Sequence, residues 1–250
     1  QTLKWIESGK SPSEQDVEIQ GTEPYIVGGH TASGYWVNTG RETTVKGLYA
    51  AGDVAGGCPQ KYVTGALAEG KLAALDMVKQ FKAGTLKEAD VQTETEIKVQ
   101  EDEILSQYEK FRNEDAPAFS VEELEEAMQK VMDEYAGGIA SNYQFNEKQL
   151  ALADEKILQL QALAEKTAAA DMHELMFIYE LKERLTVCLT VIAHLRARKE
   201  TRWHSFAENL DYPEKSDAWL CYVNSKKNGD QITMIRRDLV KGGETYEHRD

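Results

Sequence analysis

Three short segments between residues 47 and 70 combine residue types whose spacing could support ligand binding. They read GLYAAGD at 47–53, VAGG at 54–57 and TGALAEG at 64–70. Glycines allow the backbone to approach a ligand closely, and the carboxylate of Asp53 could accept hydrogen bonds from a sugar or ribitol hydroxyl. A helix beginning near Thr64 would direct free backbone N–H groups and its positive dipole end into the same cleft. The alternative is a strand, turn and helix in which the glycines only shape the turn.

The elements that would position these segments follow from the glycine and hydrophobic patterns. Residues 25–70 contain more than half of the chain's 18 glycines, and short apolar runs lie between them at 25–27 and 47–51. Apolar runs that end at glycines predict buried strands leading into tight turns. Residues 65–81 then predict a helix, with Leu67, Leu75 and Val78 available for one face.

The remainder of the chain predicts a helical bundle followed by a β-hairpin. Ser120 and Glu123 form a capping box at the start of a helix over 121–135. Residues 146–166 and 172–199 carry apolar side chains at helical spacing, and the three helices would form an up-down bundle. Two β-prone runs flank Asn228-Gly229, which predicts a hairpin. The expected fold class is mainly α with some α/β.

Composition and charge exclude several classes of function. The chain has 250 residues, and its 29 basic against 43 acidic side chains give a formal net charge of −14. Because nucleic acid and anionic membranes attract clustered positive charge, neither is expected as a partner. No apolar run is long enough for a transmembrane segment, and no secretory signal is recognisable. Three dispersed cysteines without a CxxC pair predict a cytoplasmic setting and no iron–sulfur cluster held by this chain alone.

Two longer stretches carry a resemblance to a known family. EPYIVGGHTASGYWVNTGRETTVKGLYAAGDVAGGCPQKYVTGALAEG (23–70) resembles the second half of the FAD-binding domain in succinate dehydrogenase/fumarate reductase flavoproteins. GGHTASG at 28–34 and KYVTG at 61–65 look most like the adenylylsulfate reductase alpha-subunit branch of that family. RKETRWHSFAENLDYPEKSDAWLCYVNSK (198–226) is similar to the C-terminal region of the same branch.

The resemblance implies an FAD-dependent oxidoreductase subunit of sulfur metabolism and electron transport. Such a subunit interconverts adenylylsulfate with AMP and sulfite at the flavin and receives electrons from an iron–sulfur partner subunit. His30 and Lys61 match the positions expected near the small-molecule oxyanion substrate, and no metal ligands are implied. The positions expected to line the flavin are Gly52, Asp53, Thr64, Gly65, Ala66 and Leu67.

Two other functions stay open at this stage. A fumarate reductase or succinate dehydrogenase-type flavoprotein would act on a dicarboxylate, which that family clamps with an arginine where this chain has Lys61. Arginine offers a planar bidentate fork and lysine only a point charge, so this exchange favours adenylylsulfate. The remaining alternative is a non-catalytic helical interaction module that docks a partner through the bundle and the hairpin.

The resemblance also predicts a domain organisation. Residues 1–24 would end a capping domain, 25–84 would be the C-terminal part of an FAD-binding domain, and 85–116 would be a helical linker. The helical bundle would span 117–205, and the hairpin with its tail 206–250. Since no GxGxxG unit is present, we expect the chain to be the C-terminal portion of a longer subunit and, alone, to bind FAD weakly or not at all.

Overall fold

A computed structural model describes residues 7, 9, 14, 33–57, 62–86, 93–113, 119–202, 207–229 and 231–239. The described part is mainly helical, with little sheet. Its elements in chain order are the helices α1 (Val63–Lys82), α2 (Glu94–Asn113) and α3 (Val121–Tyr135), strand β1 (Gln144–Phe145), helices α4 (Glu147–Ala164) and α5 (Met172–Ala197), and strands β2 (Glu208–Asn209), β3 (Cys221–Asn228) and β4 (Gln231–Asp238).

Helices α3, α4 and α5 pack around one apolar core, as their spacing predicts. Each helix contributes large side chains that are almost completely buried, and every pair among the three is in contact. The core side chains with the least exposure are Leu124, Leu150, Ile157, Leu181, Leu185 and Ile192. Because burial of each such side chain stabilises the fold by about 1.5–3 kcal/mol, this cluster is the main source of stability for the three helices.

Local capping fixes where these helices begin. The Ser120 hydroxyl accepts the N–H of Glu123, whose carboxylate accepts the N–H of Ser120 in return, so the predicted capping box is confirmed. Asn146 caps α4 through the N–H of Gln149, and Asp171 caps α5 through the N–H of Glu174. Each cap satisfies a helix N–H that would otherwise lack a partner.

The C-terminal hairpin is also confirmed, with longer strands than the sequence indicates. Strands β3 and β4 pair antiparallel from Cys221 opposite Asp238 to Asn228 opposite Gln231. Gly229, at the turn, has a φ of +60°, a conformation that glycine adopts without a steric penalty. The hairpin contacts α5, where Nε2 of His194 lies 3.0 Å from Oγ of Ser225.

The glycine-rich region differs from the prediction of buried strands. The run at 47–51 forms only an isolated bridge, between Glu42 and Tyr49, and Leu48 is 55% exposed. The apolar run at 25–27 lies outside the described residues. A strand requires a continuous lateral partner, and in the described part of the chain residues 33–57 find only single-residue bridges. The prediction of a buried strand at 47–51 is therefore wrong.

The face predicted for α1 is likewise not packed. Leu67, Leu75 and Val78 are 71%, 58% and 51% exposed, whereas Glu69 and Ala73 on the opposite side are buried. Periodicity correctly indicates a helix, but here the helix contacts the glycine-rich region through its small and polar face. None of the described helices has the length and apolar character that crossing a bilayer requires.

A buried carboxylate joins the end of α5 to the hairpin region. The side chain of Glu200 is fully buried; Nη1 of Arg198 donates to it at 2.6 Å and Nε of Arg202 at 2.9 Å. The N–H of Ser216 donates to the same carboxylate at 2.9 Å. Burial acts to raise the pKa of Glu200, but these donors outweigh it and hold the pKa below its ordinary value.

This carboxylate makes stability depend on pH. Because the pKa of Glu200 is lower in the folded than in the unfolded chain, its stabilising contribution is present above about pH 4.5 and is lost as the pH falls through the folded value. We expect the free energy of unfolding, measured with urea, to fall in that acid range. Glu200→Gln should flatten the acid-side slope, and Glu183→Gln, at an exposed position of α5, should leave it unchanged. Identical slopes in the two variants would contradict this role.

Candidate functional site

The candidate site centres on a single 3-10 turn over Gly52–Val54. Gly52 has a φ of +75°, and a Cβ at this position would lie 3.1 Å from Cβ of Ala66 in the first turns of α1. The extended residue Ala51 leads into the turn, and the N–H of Ala55 closes it by donating to the carbonyl of Gly52. Glycine is therefore required at position 52 both by its backbone conformation and by the close approach of the helix.

Glu69 ties this turn to the helix. One carboxylate oxygen accepts the N–H of Gly52 at 3.1 Å, and the other lies 3.2 Å from Nε of Arg41. Glu69 is only 4% exposed, so the carboxylate and the guanidinium meet largely out of water. Arg41 itself has a φ of +72°, which is uncommon for a residue with a side chain. The ion pair fixes the position of the turn relative to α1.

A second polar cluster joins the loop before the turn to the C-terminal half of α1. Gln80 donates to the Tyr49 hydroxyl at 2.9 Å and to Asp76 at 2.6 Å, and the Tyr49 hydroxyl donates to Asp76 at 3.0 Å. Burial and the neighbouring Asp76 carboxylate raise the pKa of the Tyr49 phenol, which therefore stays protonated as a donor. A Cβ at Gly40 would lie 2.5 Å from the Asp76 side chain, so the loop and the helix are in close contact here.

Glu42 links this cluster to the loop before the turn. The N–H of Gly47 donates to it at 3.0 Å and the ammonium of Lys46 at 3.1 Å. Burial acts to raise the pKa of Glu42, but these donors, together with Gln80, hold the pKa below its ordinary value. The carboxylate consequently remains charged at neutral pH and anchors the loop over residues 42–47.

The N-terminus of α1 lies beside the turn. Tyr62 is the N-cap residue, it provides no side-chain cap to the helix, and the first turn contains no acidic residue. The first backbone N–H groups of the helix and the positive end of its dipole favour a partially negative ligand at this end. No group of His, Cys, Asp or Glu side chains suited to a metal ion occurs in the described part of the chain.

The structure brings several of the predicted cofactor-binding residues together. Gly52 contacts Ala66 directly, and Asp53 lies exposed in the same turn. Thr64, Gly65 and Leu67 follow on the first turns of α1, with Thr64 and Leu67 exposed. His30 and Lys61, the predicted catalytic residues, lie outside the described residues. Contact with a cofactor remains a prediction for all of these positions.

The sequence patterns do not identify Glu69 and Arg41 as the residues that hold the turn. The signal was available, because Glu69 is an acidic residue placed between Leu67 and Leu72 in a segment otherwise rich in Ala and Gly. A charge in such a position requires a partner if it is buried. Its partners could not have been identified, since Arg41 and the N–H of Gly52 come from separate loops.

Substitutions at two glycines distinguish the effect of backbone conformation from the effect of contact with α1. Gly57 has only the unusual backbone conformation, whereas Gly52 has that conformation and the contact. Gly57→Ala should destabilise the protein by about 1 kcal/mol, because its φ is +76° but a Cβ would meet nothing within 4 Å. Gly52→Ala should cost about 2 kcal/mol or more, since the same strain is joined by the contact with Ala66. The free energies of unfolding from denaturant titrations would measure both. Equal losses would show that the approach of α1 imposes no constraint at Gly52.

Comparison with known proteins confirms the resemblance predicted from the sequence. The chain is 29% identical over 254 residues to the adenylylsulfate reductase alpha subunit of Megalodesulfovibrio gigas, covering 89% of this chain and 38% of that protein. Adenylylsulfate reductase from Archaeoglobus fulgidus is structurally similar, with a TM-score of 0.76 and 29% identity over 98% of this chain and 43% of that one. No protein-family model matches the chain.

A more distant likeness extends to the fumarate reductases. Quinol fumarate reductase from Escherichia coli matches with a TM-score of 0.62 and 20% identity, over 84% of this chain and 37% of that one. At this identity the likeness shows a shared fold alone. In all three comparisons the chain spans about two fifths of the length of the matched protein. The matched proteins are oxidoreductases.

Proposed function

We propose that this chain forms the C-terminal part of the FAD-containing subunit of an adenylylsulfate reductase, which interconverts adenylylsulfate with AMP and sulfite. The observation that carries the proposal is the similarity to adenylylsulfate reductases over nearly the whole chain, in sequence and in structure. The more distant fumarate reductases share the fold at lower identity, which favours adenylylsulfate over a dicarboxylate as the substrate.

The residues around Gly52 support the proposal of a flavin site. Gly52, Asp53, Thr64, Gly65, Ala66 and Leu67 would hold the cofactor, which, when bound, supplies the two-electron chemistry of the reaction. The first turn of α1 contains no acidic residue and its N-cap contributes no side chain, so its N–H groups can stabilise negative charge that develops on a ring placed against it. The exposed Asp53 carboxylate can accept hydrogen bonds from hydroxyl groups.

Within this proposal, His30 and Lys61 bind and orient the oxyanion of the substrate. An imidazole can donate a hydrogen bond to a sulfate or sulfite oxygen, and its protonation changes near neutral pH. The ammonium of Lys61 offers three donors from a compact positive charge, which can attract an oxyanion but lacks the planar fork with which arginine clamps a carboxylate.

The electrons would come from an iron–sulfur partner subunit. This chain contains three widely spaced cysteines and no CxxC pair, and its described residues include no metal-binding group. Reduction of adenylylsulfate to AMP and sulfite consumes two electrons, which must therefore reach the site from outside these residues. We propose that such a complex acts in the cytoplasm.

The experiment is to express the complete reading frame that encodes this chain and to purify the protein with its partner subunit. We expect visible flavin absorbance, bleaching of that absorbance by sulfite, and AMP-dependent oxidation of sulfite with an artificial electron acceptor. Fumarate reduction in place of sulfite oxidation would establish the dicarboxylate enzyme instead. A protein without flavin or turnover would contradict both enzymes and leave the helical interaction module.

A further inference from the structure

Arg237 on β4 lies against two aromatic rings. Its guanidinium carbon is 3.9 Å from the centroid of the Trp36 ring and 4.9 Å from that of Tyr222. Tyr222 is the cross-strand neighbour of Arg237, and Nε of Arg237 donates to Oδ1 of Asn224 at 2.7 Å. The hairpin thus fixes the guanidinium, and the contact with Trp36 connects it to a segment about 200 residues earlier in the chain.

Trp36 belongs to the segment that holds the Gly52–Val54 turn. The N–H of the preceding residue, Tyr35, donates to the carbonyl of Val54 at 2.7 Å, and the N–H of Gly56 donates to the carbonyl of Tyr35 at 2.9 Å. A Cβ at Gly34 would lie 2.5 Å from the backbone nitrogen of Gly56, so the two segments are in direct backbone contact. A displacement of Trp36 would therefore shift its neighbour Tyr35, which is hydrogen-bonded directly to Val54 in the turn.

We propose that Arg237 is a positioning residue for the candidate flavin site, which it stabilises through Trp36, Tyr35 and the Gly52–Val54 turn. The inference rests on the proposed function for its catalytic consequence, although the structural link is independent of it. A planar guanidinium suits this place because it can stack on aromatic faces while its edge makes hydrogen bonds. The C-terminal hairpin would then support the site as well as complete the fold.

The neighbouring Arg236 provides a matched comparison. Its guanidinium carbon lies 4.2 Å from the centroid of the Trp219 ring, and it donates to the carbonyl of Ala218. Trp219 is also contacted by Arg198, which caps the C-terminus of α5. Two adjacent arginines on one strand therefore contact aromatic rings in different regions. Arg236 contacts Trp219, near the end of α5, and Arg237 contacts Trp36, in the glycine-rich region.

The test compares Arg237→Ala, Arg237→Lys and Arg236→Ala in the complete protein. The first readout is amide hydrogen exchange over residues 52–57, which requires neither flavin nor activity. We expect Arg237→Ala to increase exchange there about tenfold and Arg236→Ala to leave it unchanged. Arg237→Lys keeps the positive charge but loses the planar group that stacks on the rings and the Nε donor to Asn224, so it should recover only part of the protection.

The second readout separates positioning from general stability. We expect Arg237→Ala to lower kcat for sulfite oxidation about tenfold with little change in KM, and to alter the visible circular dichroism of the flavin. Arg236→Ala should keep the wild-type kcat and spectrum. Equal exchange over residues 52–57 in the two alanine variants would overturn the proposal. If the wild-type protein has no flavin or turnover but Arg237→Ala still increases exchange over residues 52–57, the proposed function is refuted and the structural link stands.

Discussion

Glu69→Ala should destabilise the protein by about 3 kcal/mol, because it leaves the buried N–H of Gly52 and the partly buried guanidinium of Arg41 without their partner. Glu69 is 4% exposed, accepts the N–H of Gly52 and pairs with Arg41, whose side chain is only 22% exposed. Removal of the carboxylate leaves the Arg41 guanidinium without its ion-pair partner and the Gly52 N–H without an acceptor. The free energy of unfolding from denaturant titrations measures the loss.

The variants around Glu69 distinguish its two roles. Glu69→Gln keeps an oxygen that can accept the Gly52 N–H but removes the ion pair, so an intermediate loss is expected. Glu126→Ala is the control, because Glu126 pairs with Lys130 on the exposed surface of α3, where water screens the pair and its contribution to stability is small. Losses of similar size for Glu69→Ala and Glu126→Ala would show that the buried pair does not hold the turn.

The parts of the fold that could be predicted from the sequence depend on local interactions. The capping box at Ser120 and Glu123 lies within four residues, and the hairpin turn at Asn228-Gly229 requires only the conformational freedom of glycine. The spacing of apolar residues in α3, α4 and α5 gives each helix one apolar face, and each face packs against the other two helices. In each case the residues within or next to the element are sufficient to predict it.

The errors arose where structure depends on distant residues. The run at 47–51 has the composition of a buried strand, yet composition cannot supply the lateral hydrogen-bond partner that a strand requires. The same holds for the buried carboxylates. The Glu200 carboxylate pairs with two arginines and accepts the N–H of Ser216. Nothing in the sequence spacing of these residues indicates that they lie together in the fold.

The candidate site contains features that depend on neighbouring residues and features that depend on distant ones. The glycines and the helix start near Thr64 could be located from local patterns, and the structure places Gly52 against Ala66. The supports for the turn could not be found in this way, because Arg41, Glu69 and Trp36 act through contacts between separate segments. Local patterns therefore predict the residues that are proposed to face a ligand, but not the residues that hold them in place.

His30→Ala should have the largest effect on catalysis, a decrease of about 100-fold in kcat/KM for sulfite oxidation by the complete protein. His30 follows two glycines in the segment GGHTASG at 28–34, and its imidazole is proposed to donate a hydrogen bond to the substrate oxyanion. Loss of this donor removes stabilisation of charge that develops in the transition state, so kcat should fall more than the substrate affinity changes.

His173→Ala is the matched control, because His173 is exposed near the start of α5 and its nearest ring contact is with Phe177 on the same helix. This variant should keep the wild-type kcat/KM. Added imidazole should restore part of the activity of His30→Ala, since a free imidazole can occupy the vacated space and donate to the oxyanion. Flavin absorbance should be the same in both variants, which separates a loss of chemistry from a loss of cofactor. A kcat/KM for His30→Ala within threefold of the wild-type value would rule out this role of the imidazole, because loss of one donor to a developing oxyanion typically lowers kcat about 100-fold or more.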